Sequence, residues 1–175
     1  MALITWHLSI NKRILHIVFP KLPRATVGEN QTYFLKAQKN PCQAYQNSIL
    51  CKNVLAASAR YEGPNQFVGF NVPITSITPE DTVLWQICQQ YPTLQYMVAY
   101  IEGDTSTIAH ELRHARFYID TAYRARVEVA WKRIQLERKN KYKTIIKRLE
   151  DANYQPRVFM DEFQAYYPNL IEELA

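Results

Sequence analysis

The chain has 175 residues, of which 47% are hydrophobic and 21% are charged, and its formal net charge is +5. This length suffices for one domain with a substantial buried core, and the ordinary globular composition excludes an intrinsically disordered chain. No apolar stretch reaches the length of about 18 residues that a membrane-spanning helix needs, so no membrane span is predicted.

Cysteine usage predicts a cytoplasmic or other intracellular location. Cys42, Cys51 and Cys88 form no C-x-x-C pair, and their odd number does not indicate a disulfide framework. The first residues also lack the basic start and continuous apolar block of a signal peptide. The alternative is an exported protein with a single disulfide between Cys42 and Cys51.

The first hundred residues contain the predicted strands. The β-branched and aromatic run at 14–19 predicts a strand, in which His16 is expected to be packed or hydrogen-bonded rather than a metal ligand. Residues 31–57 are predicted to be partly helical. Residues 58–77 are predicted to form a β-hairpin around the loop 62–65, with residues 57–61 in its first strand.

A helix and a further strand are predicted before residue 104. Thr78 is a suitable N-cap and Pro79 suits the first helical position, so a helix is predicted from there through Cys88, ending before Pro92. The apolar run at 94–101 then predicts a strand.

The most informative motif, His110-Glu111-Leu-Arg-His114, lies on a predicted helix. Apolar residues recur around it at helical spacing, and Asp-Thr-Ser at 104–106 provides N-cap residues. Residues four apart on a helix lie about 6 Å apart at Cβ on one face, a suitable separation for two imidazoles to bind one Zn²⁺. Glu111 lies about 100° around the axis, where it could accept a proton from a water that zinc activates. Alternatively, this is an exposed, salt-bridged helix face that happens to carry two histidines.

A catalytic zinc site usually has three protein ligands and one position open for water. No histidine follows His114, so the third ligand must be a carboxylate or an earlier cysteine. Glu162 is the best candidate, because it lies among apolar residues on a short helix predicted at about 158–167, where a buried carboxylate needs a partner. Asp161 is the alternative, either as the ligand or as an acceptor for the far nitrogen of a ligating histidine. Both acidic residues could also simply favour a helix N-terminus.

His110-Glu-Leu-Arg-His114, followed by Asp161-Glu162-Phe-Gln-Ala-Tyr, resembles the zincin metallopeptidases, and specifically their gluzincin branch. The resemblance covers residues 105–167 only. It implies that His110, His114 and Glu162 bind Zn²⁺ and that Glu111 is the general base and acid. It also implies an α+β, zincin-like fold, mostly helical, with a small N-terminal antiparallel or mixed sheet packed on the active-site helix.

Two details of this resemblance are open. Tyr166, one turn after Glu162, and Tyr118, one turn after His114, lie on faces suitable for stabilising the oxyanion, and Tyr166 is the predicted catalytic residue. The alternative, in a chain with 12 tyrosines, is that both are structural. The 47 residues between His114 and Glu162 exceed the spacing in thermolysin-like enzymes. The basic helical segment between them is therefore expected to be an insertion.

That segment, residues 124–148, contains ten lysine and arginine residues, opposed only by Glu128 and Glu137. Such a run can bind nucleic-acid phosphates or an acidic membrane surface, although it is more often the solvated face of an amphipathic helix. The helical pattern is predicted to continue from the His-Glu-x-x-His motif to about Lys139, with a break near Asn140.

The sequence therefore predicts a single zincin-like domain over residues 1–175, with a strand-containing part at 1–103 and a helical part at 104–175. The predicted function is zinc-dependent hydrolysis of a peptide or protein substrate by a zinc-activated water. The alternative is a nucleic-acid-associated or structural zinc protein without peptidase activity.

Overall fold

The computed structural model describes residues 4–21, 48–61 and 69–175. Within these ranges the fold is α+β, mostly helical with a small mixed sheet, which confirms that part of the prediction. In chain order the elements are β1 (Thr5–Leu8), β2 (Ile14–Phe19), α1 (Ile49–Tyr61), β3 (Phe70–Pro73), α2 (Thr82–Gln90), β4 (Tyr96–Ile101), α3 (Thr105–Ile119), α4 (Thr121–Glu137), α5 (Lys139–Asp151), α6 (Phe159–Tyr166) and α7 (Pro168–Leu174).

The four strands form one sheet in the order β1-β2-β4-β3. Strands β2 and β4 are parallel, whereas β1 and β3 are antiparallel to their neighbours. Alternate side chains point to opposite faces of a sheet. One face packs with α1 and α2 in a core that contains Leu15, Ile17, Phe19, Phe70, Val72, Met97 and Ala99.

The opposite face of the sheet carries polar side chains. Asn71 on β3 pairs with Val98 on β4, so Asn71 shares this face with Tyr96, two residues before Val98. His16 also lies on this face, where its Nδ1 is 3.1 Å from the hydroxyl of Tyr100. The prediction that His16 is packed or hydrogen-bonded is therefore confirmed.

The chain divides into two compact units, residues 1–111 and 112–175, and the boundary falls inside α3. The first unit contains the sheet, α1 and α2. The second contains α4 to α7, whose core includes Val127, Ile134, Phe163 and Ile171. The predicted single-domain organisation over 1–175 stays a prediction.

The prediction of a strand at 57–61 is wrong, because these residues end α1. The buried residues Cys51, Val54, Ala57 and Ser58 recur every three or four positions, which is the helical period. The predicted loop 62–65 lies outside the described residues. Residues 31–47, which include Cys42, also lie outside them.

Helix α2 begins at Thr82 rather than at Pro79. The backbone N–H of Thr78 donates to the Asp81 carboxylate at 2.9 Å, so residues 78–81 form a turn ahead of the helix. Arg60 also pairs with this buried carboxylate. The Asp81 carboxylate thus accepts from both the turn and Arg60 directly before the helix begins.

The helix after the motif does not continue to Lys139 without interruption. Asp120 separates α3 from α4 and accepts a hydrogen bond from the backbone N–H of Tyr123 at 2.9 Å, as an N-cap residue does. The predicted break near Asn140 lies at Arg138, between α4 and α5.

Part of the basic segment contacts the C-terminal helix. Arg126 pairs with Glu172 at 2.6 Å, Arg133 donates to the carbonyl of Leu174 at 2.9 Å, and Arg138 pairs with Glu173. These three cations therefore contact α7 from α4 and from the residue that follows it. The proposed contact of this segment with nucleic acid stays a prediction.

Candidate metal centre

Helix α3 begins with the predicted N-cap. Asp104 accepts hydrogen bonds from the backbone N–H of Thr107 at 3.0 Å and from its hydroxyl at 2.7 Å. Burial raises the pKa of Asp104, but the hydrogen bonds from Thr107 and Ser106 outweigh this and hold the pKa below its usual value. The cap fixes the start of the helix and thereby the direction in which His110 and His114 project.

The structure brings His110, His114 and Glu162 together. One ligand atom from each lies within 4.8 Å of the other two. His110 is half-buried, whereas His114 and Glu162 are only 1% and 3% exposed. A buried carboxylate beside two imidazoles is a donor set that suits a divalent cation.

The distances fit a metal ion. Two ligand atoms on a tetrahedral zinc, each about 2.05 Å from it, lie about 3.4 Å apart. Nε2 of His114 and Oε1 of Glu162 are 3.7 Å apart, too far for a hydrogen bond but close to that separation. Small shifts of these side chains would therefore place all three donors around one ion.

The tautomer of His114 also suits a metal. Its Nδ1 is 2.7 Å from Oδ1 of Asp161, and an ionised carboxylate can only accept, so Nδ1 carries the proton. In the neutral imidazole this leaves the lone pair on Nε2, the nitrogen nearest Glu162. In this tautomer, Nε2 of His114 and the Glu162 carboxylate can both donate a lone pair to a divalent ion. Asp161 thus occupies the second of its two predicted roles, as acceptor for the histidine.

Two residues that the sequence analysis did not identify extend this contact. The side-chain amide of Gln164 donates to Oδ1 of Asp161 at 3.0 Å, and the hydroxyl of Tyr123 donates to Oε1 of Gln164 at 3.1 Å. Gln164 is completely buried. Its spacing of three from Asp161 on a helix was a usable signal. Nothing in the sequence indicates the contact with Tyr123, which lies on a different helix.

Glu111 is the last residue of the first unit, and a strand of that unit contacts its side chain. It is 5% exposed, and its Oε2 accepts a hydrogen bond from the side-chain amide of Asn71 at 2.7 Å. The hydroxyl of Tyr96 in turn donates to Oδ1 of Asn71 at 2.6 Å. The glutamate of the motif is therefore buried and oriented by the polar face of the sheet. Asn71 and Tyr96 lie on strands, far from the motif in sequence, and no local pattern indicates them.

The two tyrosines considered for the oxyanion differ in setting. Tyr166 is 47% exposed and its hydroxyl is 3.0 Å from that of Tyr154. The side chain of Tyr118 is half-buried, and its backbone carbonyl accepts a hydrogen bond from Arg124 at 2.9 Å. The catalytic role of Tyr166 stays a prediction.

Comparison of the chain with protein-family models, with curated proteins and with solved structures finds no match. No helix within residues 4–21, 48–61 and 69–175 is both long and apolar enough to cross a membrane. What the site can do chemically therefore follows from its donor set. Two histidines and a carboxylate bind zinc in hydrolases and iron in non-haem oxygenases, and a glutamate directly after the first histidine favours zinc hydrolysis.

Proposed function

We propose that this protein is a zinc-dependent metallopeptidase, in which His110, His114 and Glu162 bind Zn²⁺ and Glu111 is the general base. The observation that carries the proposal is the convergence of the three side chains. Glu162 lies on another helix, 48 residues beyond His114, yet its carboxylate is buried beside the imidazole of His114. A helix face that carried two histidines by chance would not explain a buried carboxylate at this position.

The chain provides fixed ligands. The hydrogen bond from Nδ1 of His114 to Asp161 fixes the imidazole plane and makes Nε2 the metal-facing nitrogen. Gln164 donates to the same oxygen of Asp161 and limits rotation of that carboxylate. His110 is on the same helix as His114, so the separation of the two imidazoles is set by helix geometry.

Bound zinc would polarise the scissile carbonyl and make water more acidic. The Glu111 carboxylate would take a proton from the attacking water, whose oxygen forms the new bond to the carbonyl carbon. Glu111 would then deliver that proton to the nitrogen as the carbon–nitrogen bond breaks, so that the amine leaves neutral. The products are a carboxylic acid and an amine, and Glu111 returns to its starting state.

A peptide or protein is the proposed substrate because of the resemblance to gluzincins.

The test compares the wild type with Glu111→Gln on a fluorescently labelled protein substrate such as casein, with zinc content measured in parallel. Glu111→Gln should lose at least about a hundredfold in rate, the lower range of general acid–base catalysis, and keep its zinc. Glu128→Gln, an exposed glutamate on α4, is the matched control and should cleave normally. Cleavage that persists in Glu111→Gln, or loss of zinc from it, would contradict the proposed role.

A further inference from the structure

We propose that Asn71 is a positioning residue for Glu111: its side-chain amide holds the glutamate in the orientation that general-base chemistry requires, and Tyr96 in turn fixes Asn71. This inference rests on the proposed function. The positioning residues, Asn71 and Tyr96, belong to the first unit, and neither is part of the His-Glu-x-x-His motif or a proposed metal ligand.

The directions of the hydrogen bonds are determined by chemistry. An ionised carboxylate can only accept, so the group of Asn71 that lies 2.7 Å from Oε2 of Glu111 must be its NH₂. The amide oxygen then faces the hydroxyl of Tyr96, which donates to it at 2.6 Å. Reversing the amide would place its oxygen against the Glu111 carboxylate, which cannot donate, and would lose that hydrogen bond.

The second oxygen of Glu111 is confined by close packing. A Cβ atom added at Gly69 would lie 2.3 Å from Oε1 of Glu111 and 2.5 Å from the methyl group of Thr107. These distances leave no space for a side chain at residue 69. The Glu111 carboxylate thus lies directly against the backbone that leads into β3, and Asn71 two residues later supplies its donor.

Glu111 is buried, so the loss of its hydrogen-bond donor should have a measurable effect. A buried carboxylate without hydrogen-bond donors is costly, so the Asn71 amide stabilises Glu111 in the orientation observed. Without that amide, the carboxylate would lose the donor that sets its orientation and could rotate. A base must lie within about 3 Å of the proton it accepts, so rotation alone would weaken its action.

The experiment requires no substrate. Apo protein is loaded with Co²⁺, whose visible absorption reports ligand exchange, and is titrated with acetohydroxamic acid. This probe chelates the metal through its two oxygens, and its hydroxyl proton passes to a nearby base. Glu111→Gln should weaken its binding about tenfold or more, and Asn71→Ala should weaken it about five- to tenfold at unchanged cobalt stoichiometry.

A double-mutant cycle separates positioning from a structural role. If Asn71 acts through Glu111, adding Asn71→Ala to Glu111→Gln should weaken acetohydroxamate binding no further. Tyr96→Phe, which removes only one hydroxyl, should have a smaller effect in the same direction and replaces Asn71→Ala if that variant does not fold. Asn53→Ala is the control, because Asn53 is also buried in this unit but accepts from the backbone N–H of Val83.

Each result decides a different claim. Unchanged affinity in both Asn71→Ala and Tyr96→Phe, or an equal loss with and without Glu111→Gln, would overturn the positioning role and leave the proposed function intact. A wild type that does not bind cobalt, or an affinity insensitive to Glu111→Gln, would overturn both. A loss in Asn53→Ala as large as in Asn71→Ala would show a structural effect and overturn the inference.

Discussion

Asp161 is the residue whose removal should affect metal binding most without removing a ligand. Its Oδ1 accepts from Nδ1 of His114 at 2.7 Å and from Nε2 of Gln164 at 3.0 Å. Asp161→Ala removes the acceptor of two buried donors, at a cost of about 1–3 kcal/mol each, so the metal-free protein should lose about 2–6 kcal/mol of unfolding free energy.

The effect on zinc affinity can be estimated separately. Loss of the carboxylate that orients a ligating histidine typically weakens metal binding by about 10- to 100-fold, or about 1.4–2.7 kcal/mol. Asp161→Asn retains an oxygen that can accept from both donors, so it should weaken zinc binding less than Asp161→Ala. The order of zinc affinity should therefore be wild type, Asp161→Asn, Asp161→Ala.

Competition with a fluorescent zinc chelator measures this affinity, and urea unfolding of the metal-free proteins shows whether each variant is folded. Asp151→Ala is the control, because Asp151 is exposed and pairs with the exposed Lys147 at 3.1 Å, away from the proposed metal ligands. A folded Asp161→Ala with wild-type zinc affinity would refute the assignment of Nε2 of His114 as the metal-facing nitrogen.

Three further predictions test other parts of the structure. Gly69→Ala should lower the free energy of urea unfolding by about 1–3 kcal/mol, because its Cβ would overlap Glu111. An equal loss in a Glu111→Ala background would show that overlap with Glu111 is not the cause. Burial and the neighbouring His7 lower the pKa of His16 to about 4. From about pH 6.5 down to about 4, the unfolded chain therefore binds a proton that the folded chain does not, and unfolding free energy should fall as pH falls. An NMR titration that gives His16 a pKa near 6.5 in the folded protein would contradict this prediction. Ile171→Ala, at a fully buried position on α7, should lower the free energy of urea unfolding by about 2–5 kcal/mol. Arg126→Ala, which removes an exposed ion pair to α7, should lower it by less than about 1 kcal/mol. Similar losses in the two variants would contradict the view that apolar packing, rather than ion pairs, holds α7.

Local sequence patterns predicted the elements that carry the site. The cap at Asp104, the apolar period around His110 and His114, and the runs that became β2 and β4 all follow from spacing and residue type. Glu162 was identified because a carboxylate among apolar residues needs a partner. These signals lie within single elements and do not depend on the rest of the fold.

Contacts between distant residues could not be predicted in this way. The parallel pairing of β2 with β4 and the contact of Asn71 with Glu111 are tertiary, so no local period reveals them. The prediction of a strand at 57–61 failed because a short segment containing alanine, serine and arginine fits either period, and packing in α1 decides which one forms. The predicted helix from the motif to about Lys139 passes through Asp120, but the Asp120 carboxylate is a good N-cap and begins a new helix there.

The most direct test of the account is the metal content of the untagged protein, measured by elemental analysis that distinguishes zinc from iron and compared with His114→Ala and Glu162→Gln. We expect about one zinc per chain in the wild type and little or none in either variant. No metal in the wild type after incubation with zinc, or iron in place of zinc, would contradict the proposed zinc centre.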